Sequence, residues 1–196
     1  MLEAAARRLP PVPSAGWMKP LPPALRFILH GDARVRAAAA AAWGAAFSEV
    51  ACRAVLQKTR ATLWLGPDEY LLLGTLSDDP AESDTAAADA LERSLSGMPH
   101  SLVDVSHRQF ALEVNGPRAA TILSGACPLD LDIGEFPVGM CTRTVLAKAD
   151  IVLWRTRDDA FHLEAWRSFG GYVTGLLREI AAEFHDGASG QVHDAN

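Results

Sequence analysis

Short apolar runs alternate with amphipathic stretches along most of this chain, and each run points to an element. Residues 25–30 read as a strand. Asp32 is a candidate N-cap for a helix over 33–43, which Gly44 closes. Val35, Ala39, Ala42, Trp43 and Ala46 recur there at helical spacing. Two apolar runs, 62–65 and 70–74, flank Gly66-Pro67-Asp68-Glu69, and proline at the second turn position predicts a hairpin. A polar loop over 77–85 follows, with Asp84 as a cap. A helix then runs through Leu91 and Leu95 to Gly97, and 101–105 reads as a strand. The order β-α-β-β-α-β is the ferredoxin-like unit.

The second half partly repeats this order. Residues 109–114 read as a strand, and Asn115-Gly116-Pro117 turns into a helix ending near Gly125, with Pro117 at its first position. After a loop over 127–139, the runs 142–148, 151–155 and 161–166 read as strands. Tyr172, Val173, Leu176, Leu177, Ile180, Ala181 and Phe184 make one apolar stripe on a closing helix. The expected fold class is therefore α+β: two interlocked ferredoxin-like units, about 25–106 and 107–184, packed as a single domain over 25–184. Residues 1–24 are Pro-rich and read as an arm, either a flexible leader or a segment lying on a partner, because Trp17 and Met18 have no evident core of their own. Residues 185–196 read as a flexible tail.

Composition narrows the class without naming a function. The chain has 196 residues, 49% of them hydrophobic and 21% charged, which fits a globular protein and excludes a disordered or fibrous one. Alanine makes up about a sixth of it and buries little area per residue. A net charge of -6 and a pI near 5.5 argue against nucleic acid or an anionic membrane as partner. Cys52, Cys127 and Cys141 lie far apart, as expected of a reduced cytoplasmic protein. No run approaches the length of a membrane helix, and no secretory signal is evident.

Candidate chemistry is sparse. Asp104, Ser106 and His107 are triad residue types, but neighbours on a strand point to opposite faces, so Ser106 and His107 do not readily bond each other. Asp130, Asp132 and Glu135 sit on one loop that lacks the pattern of a calcium loop and reads as a solvated acidic surface. Cys127 and Cys141 have no CxxC and no histidine at ligand spacing, so they read as small buried hydrophobes. Arg167, Ser168 and the free amides of the last helix form a weak anion-site candidate; the plainer alternative is a capped helix that Gly170 and Gly171 let pack closely. Trp64, Trp154 and Trp166 read as core residues. Neither a Rossmann nor a Walker glycine pattern occurs. No catalytic, cofactor-binding or metal-binding residue is assigned.

Several stretches, in order, resemble the gamma subunit family of heterotetrameric sarcosine oxidase. They are Trp64-Leu65-Gly66-Pro67-Asp68-Glu69-Tyr70, Asp104-Val105-Ser106-His107-Arg108, Cys127-Pro128-Leu129-Asp130-Leu131, Phe136-Pro137-Val138-Gly139 leading to Thr142-Arg143-Thr144, and Arg167-Ser168-Phe169. The resemblance spans about 25–184. It implies a shortened form of the folate-binding domain of the glycine-cleavage aminomethyltransferase. It also implies a chain without a cofactor of its own, with FAD, FMN, NAD and tetrahydrofolate held by alpha and beta subunits and zinc by a delta subunit. Partners would be those subunits, chiefly the alpha-type chain. Folate-binding iron–sulfur repair proteins share the fold and carry a Lys-Gly-Cys-Tyr-x-Gly-Gln-Glu signature; the nearest stretch here, Gly139-Met140-Cys141-Thr142-Arg143, lacks the Gln-Glu.

The expected function is a non-catalytic gamma subunit that stabilises a sarcosine-demethylating complex in the cytoplasm. Two other readings stay open at this stage. One is the equivalent subunit of an N-methylglutamate dehydrogenase or another N-methyl amino-acid oxidase. The other is a free-standing protein that binds a folate-like small molecule between its halves.

Overall fold

The computed structural model describes residues 16–75 and 84–186. A first antiparallel sheet contains β2 (Ala24–His30), β3 (Ala54–Gln57), β4 (Arg60–Gly66), β5 (Glu69–Thr75) and β6 (Ser101–Asp104), in the order β3-β4-β5-β2-β6. A second contains β1 (Met18–Pro20), β7 (Gln109–Asn115), β8 (Cys141–Leu146), β9 (Ala149–Arg157) and β10 (Ala160–Trp166), in the order β1-β7-β10-β9-β8. The helices are α1 (Ala33–Trp43), α2 (Asp84–Ser94), α3 (Ala119–Ser124) and α4 (Gly170–Asp186), the last entered through a 3-10 turn at Arg167–Phe169.

The first unit has the expected ferredoxin-like order, with β4-β5-β2-β6 as its four core strands and β3 added at one edge. The second unit copies it. β7 takes the place of β2, β10 of β5, β9 of β4 and β8 of β3. The edge place of β6, beside β2, is filled in the second sheet by β1, beside β7. Met18 pairs with Val114 and Pro20 with Leu112, both antiparallel, as β6 is to β2. The amide of Asn115 donates to the Trp17 carbonyl at 2.7 Å, and that of Leu21 to the Ala111 carbonyl at 2.9 Å.

This changes the reading of the N-terminal segment. Of the expected arm, residues 1–15 lie outside the described residues. Met18, read as having no core of its own, is fully buried in the second unit's core, and Trp17 packs against that core. A three-residue strand ending in proline carries almost no local signal, since its hydrogen-bonding partner is far along the chain.

The layers run helix, sheet, sheet, helix. Strand alternation sends Leu25, Phe27, Leu29, Tyr70 and Leu72 toward α1 and α2. It sends Phe110, Leu112, Ile151, Leu153, Phe161 and Leu163 toward α3 and α4. The opposite faces meet each other through Ile28, Leu63, Leu71, Leu73, Val152 and Trp154.

α1 has the expected bounds: the Asp32 carboxylate accepts from the amides of Arg34 and Val35, and Gly44 takes the left-handed conformation that ends it. The expected polar loop after β5 lies almost wholly outside the described residues, and so does the tail beyond Asp186. Pro117 does not open α3; the chain turns through Gly116, at φ 101, and the helix begins at Ala119. Close helix packing occurs at Gly125, where an added Cβ would lie 2.8 Å from Ile180 of α4, whereas Gly171 faces open space. Among the described residues no helix is long and apolar enough to cross a membrane.

Candidate functional site

Among the described residues, a buried charged group lies in the seam between the sheets. β2 projects Arg26 into it and β10 projects His162 and Glu164, because these residues take the strand faces opposite to Phe27 and Leu163. Arg26 Nε donates to Glu164 Oε2 at 2.6 Å, with both side chains almost completely buried. His162 Nε2 lies 2.7 Å from the other carboxylate oxygen. Burial alone would raise the Glu164 pKa; the Arg26 charge and the bonds from His162 and Arg26 outweigh it, so the carboxyl stays below the ordinary glutamate range. The group is thus a paired buried ion whose two oxygens are already engaged.

A cleft opens on either side of this pair. One, of about 270 Å³, is lined by Arg108, Gln109, Arg143, Asp150 and Trp166 over an apolar floor that includes Ile28 and Val152. The other, of about 250 Å³, is mainly apolar and lined by Pro22, Pro23, Leu56, Leu73 and Trp154. Glu164 borders both.

The residues singled out in the sequence do not assemble a reactive centre. Ser106 Oγ accepts from the Arg26 amide at 2.9 Å and lies 3.3 Å from the Arg26 carbonyl, so the hydroxyl ties β2 to the β6–β7 corner. Asp104 caps the amide of Ser106 at 2.8 Å, and His107 is exposed. Asp130 and Asp132 accept backbone amides of their own loop, whose Leu131 and Phe136 are buried anchors. Among the described residues no three His, Cys, Asp or Glu side chains converge on a possible metal position. Burial pushes the Cys141 thiol up to about 12, which leaves it protonated and unreactive near neutrality. Arg167 Nη1 reaches the His107 carbonyl at 3.5 Å, across the start of the last helix.

Trp154 is core, Trp64 packs against the first unit's core, and Trp166 is not core: it is 45% exposed. It ends β10, and the Arg108 guanidinium lies 5.4 Å from its ring. Arg26, His162 and Glu164 were missed. The available signal was polar residues spaced by two on otherwise apolar strands, at 162 and 164.

Residues 30–183 match the family described as "Sarcosine oxidase, gamma subunit family". The chain belongs to that family. Curated relatives include "Sarcosine oxidase subunit gamma" of Corynebacterium sp. (strain U-96), 36% identical over 124 residues, or 63% of this chain and 57% of that protein. Its counterpart in Arthrobacter sp is 34% identical over 63% of this chain and 58% of that protein. The matched stretch thus spans less than two thirds of these relatives. Among solved structures, a chain of heterotetrameric sarcosine oxidase from Corynebacterium sp. U-96, in complex with pyrrole 2-carboxylate, superposes with a TM-score of 0.78 at 28% identity. That superposition covers 90% of this chain and 87% of the other. The glycine cleavage system aminomethyltransferase T of Bartonella henselae matches at a TM-score of 0.59 and 14% identity, over 82% of this chain and 44% of that one. That likeness concerns the fold, a shortened aminomethyltransferase-like arrangement of two related units.

Proposed function

We propose that this gamma-family chain is a non-catalytic subunit of a cytoplasmic heterotetrameric sarcosine oxidase. Its work is to stabilise a complex that oxidatively demethylates sarcosine to glycine, yielding hydrogen peroxide with formaldehyde or 5,10-methylenetetrahydrofolate. FAD, FMN, NAD, tetrahydrofolate and zinc belong to the alpha, beta and delta subunits, and this chain holds none of them. The alpha-type subunit is its chief partner. The observation that carries this reading is the superposition on a chain of heterotetrameric sarcosine oxidase along nearly the whole length of both. The engaged state of Ser106 and of the Arg26–Glu164–His162 group supports it.

Co-expression with and without this chain, beside the alpha-, beta- and delta-type subunits of the same genome, tests the proposal. With it, the four chains should co-purify and turn over sarcosine; without it, the yield and thermal half-life of the complex should fall. Failure to co-purify, or sarcosine oxidation by the isolated chain, would sink the idea. Faster turnover of N-methylglutamate than of sarcosine would move the chain to the related dehydrogenase.

A further inference from the structure

Two of the three cysteines stand opposite each other at the junction of the units. Arg53, just before β3, forms an antiparallel bridge with Met140, just before β8. The Ala54 amide donates to the Gly139 carbonyl and the Cys141 amide to the Cys52 carbonyl, each at 2.9 Å. That register sets Cys52 of the first unit across from Cys141 of the second. Facing residues in a hydrogen-bonded antiparallel pair hold their Cα atoms about 5.5 Å apart, and a disulfide spans about 4.4–6.8 Å.

The two thiols differ in access. Cys141 is fully buried, with its Sγ 3.5 Å from the Trp64 carbonyl, whereas Cys52 is half-buried. Burial keeps the Cys141 thiol protonated, and negative charge on Cys52 adds to that effect, so the two sulfurs sense each other. Cys52 also holds φ at 57, a left-handed conformation unusual for a residue with a Cβ. The other non-glycine residues in that region among the described ones, Lys58, Asp68 and Ala147, lie in hairpin turns, and Cys52 does not. Cys127 lies apart in the second unit's core, 4.0 Å from Thr144 Oγ1, on the face of β8 opposite to Cys141.

We infer that Cys52 and Cys141 form a peroxide-sensitive dithiol, which hydrogen peroxide closes to a disulfide between the two units. The half-buried Cys52 reacts first. Its thiolate attacks one peroxide oxygen, the O–O bond breaks, and the departing hydroxide takes up a proton as water, leaving a sulfenic acid. The Cys141 sulfur then attacks the Cys52 sulfur. The S–O bond breaks, and the Cys141 proton leaves with the hydroxide as a second water. One peroxide is thereby reduced to two waters while two thiols are oxidised to one disulfide. Burial confines Cys141 to the second step, where its target already lies beside it. The bond joins residues far apart in the chain and so restricts the unfolded state. The complex proposed above releases hydrogen peroxide, but the step needs only the oxidant, and the inference does not rest on that assembly.

The test treats the folded full-length chain with hydrogen peroxide, quenches it with catalase and unfolds it in iodoacetamide. Two of its three thiols should be lost, and peptide mass mapping should find Cys52 cross-linked to Cys141. Dithiothreitol should restore all three, and the oxidised chain should unfold at a higher urea midpoint than the reduced one. Cys141→Ala should leave Cys52 as a sulfenic acid that dimedone traps. Cys52→Ser should keep Cys127 and Cys141 reduced and abolish the midpoint shift. Should Cys141→Ala fail to fold, Cys52→Ser, at a half-buried turn position, carries the test. Three thiols retained, a bridge to Cys127 or to a second copy, or Cys52 oxidised to a sulfinic acid beside a free Cys141 would overturn the inference.

Discussion

The two units of the fold share one strand order, yet they close their sheets differently. The first unit is finished by β6, its own next segment, a four-residue strand with Val103 47% exposed. The second is finished by β1, brought from the far end of the chain, with Met18 fully buried. Their cores differ to match. The first leans on the alanine-rich α1, which buries Val35, Ala39 and Trp43. The second packs Phe110, Phe136 and Phe161 beneath α4. The edge slot beside β2 and β7 is thus filled by an antiparallel partner in both sheets, from a different place in the chain each time.

The seam holds an almost completely buried ion pair, so the largest effect falls there. Glu164→Gln leaves Arg26 buried without its counter-charge and should cost about 3–5 kcal/mol in urea unfolding. A loss under about 1 kcal/mol would show that solvent reaches the pair. Next, the two closing strands should respond unequally. Met18→Ala should cost about 2–4 kcal/mol by cavity formation and speed amide exchange along β7. Val103→Ala, in the matching slot, should stay within about 0.5 kcal/mol; equal losses would erase the contrast. Between these lies the link from β5 to β8. Arg143→Gln, which removes the bidentate contact with Glu69, should cost less than about 1 kcal/mol, and less still in high salt.

Acid tests the same seam. The Glu164 carboxyl is held below its unfolded value, so its stabilisation is complete above the unfolded glutamate pKa and is lost as pH falls through the lower folded one. Urea midpoints followed downward from near neutrality should fall less steeply in Glu164→Gln than in the parent chain.

Much of the architecture was legible because its signals are local. Asp32 and Gly44 bracket α1, Pro67 marks the turn between β4 and β5, and apolar runs mark most strands. Two strands escaped. β1 is too short to show a period. β3 is joined to β4 through Lys58 at φ 53, a turn conformation usually betrayed by glycine or asparagine. The candidate site was harder to read. Arg26 and Glu164 stand 138 positions apart, and nothing near either announces the other. Gln109 and Trp166 meet only through strand register, and a strand-end tryptophan looks the same in sequence whether its end is covered or open.

Synthesis order gives β1 a peculiar history. β7, its partner, is made roughly ninety residues after it, a delay on the order of 5–20 s at ordinary elongation rates. The first unit can finish its sheet during that interval. Pro20, Pro22 and Pro23, just after Met18, disfavour a helix in the waiting segment. β1 therefore waits for a partner made long after it, and translation of β7 sets the earliest moment at which the second sheet can close.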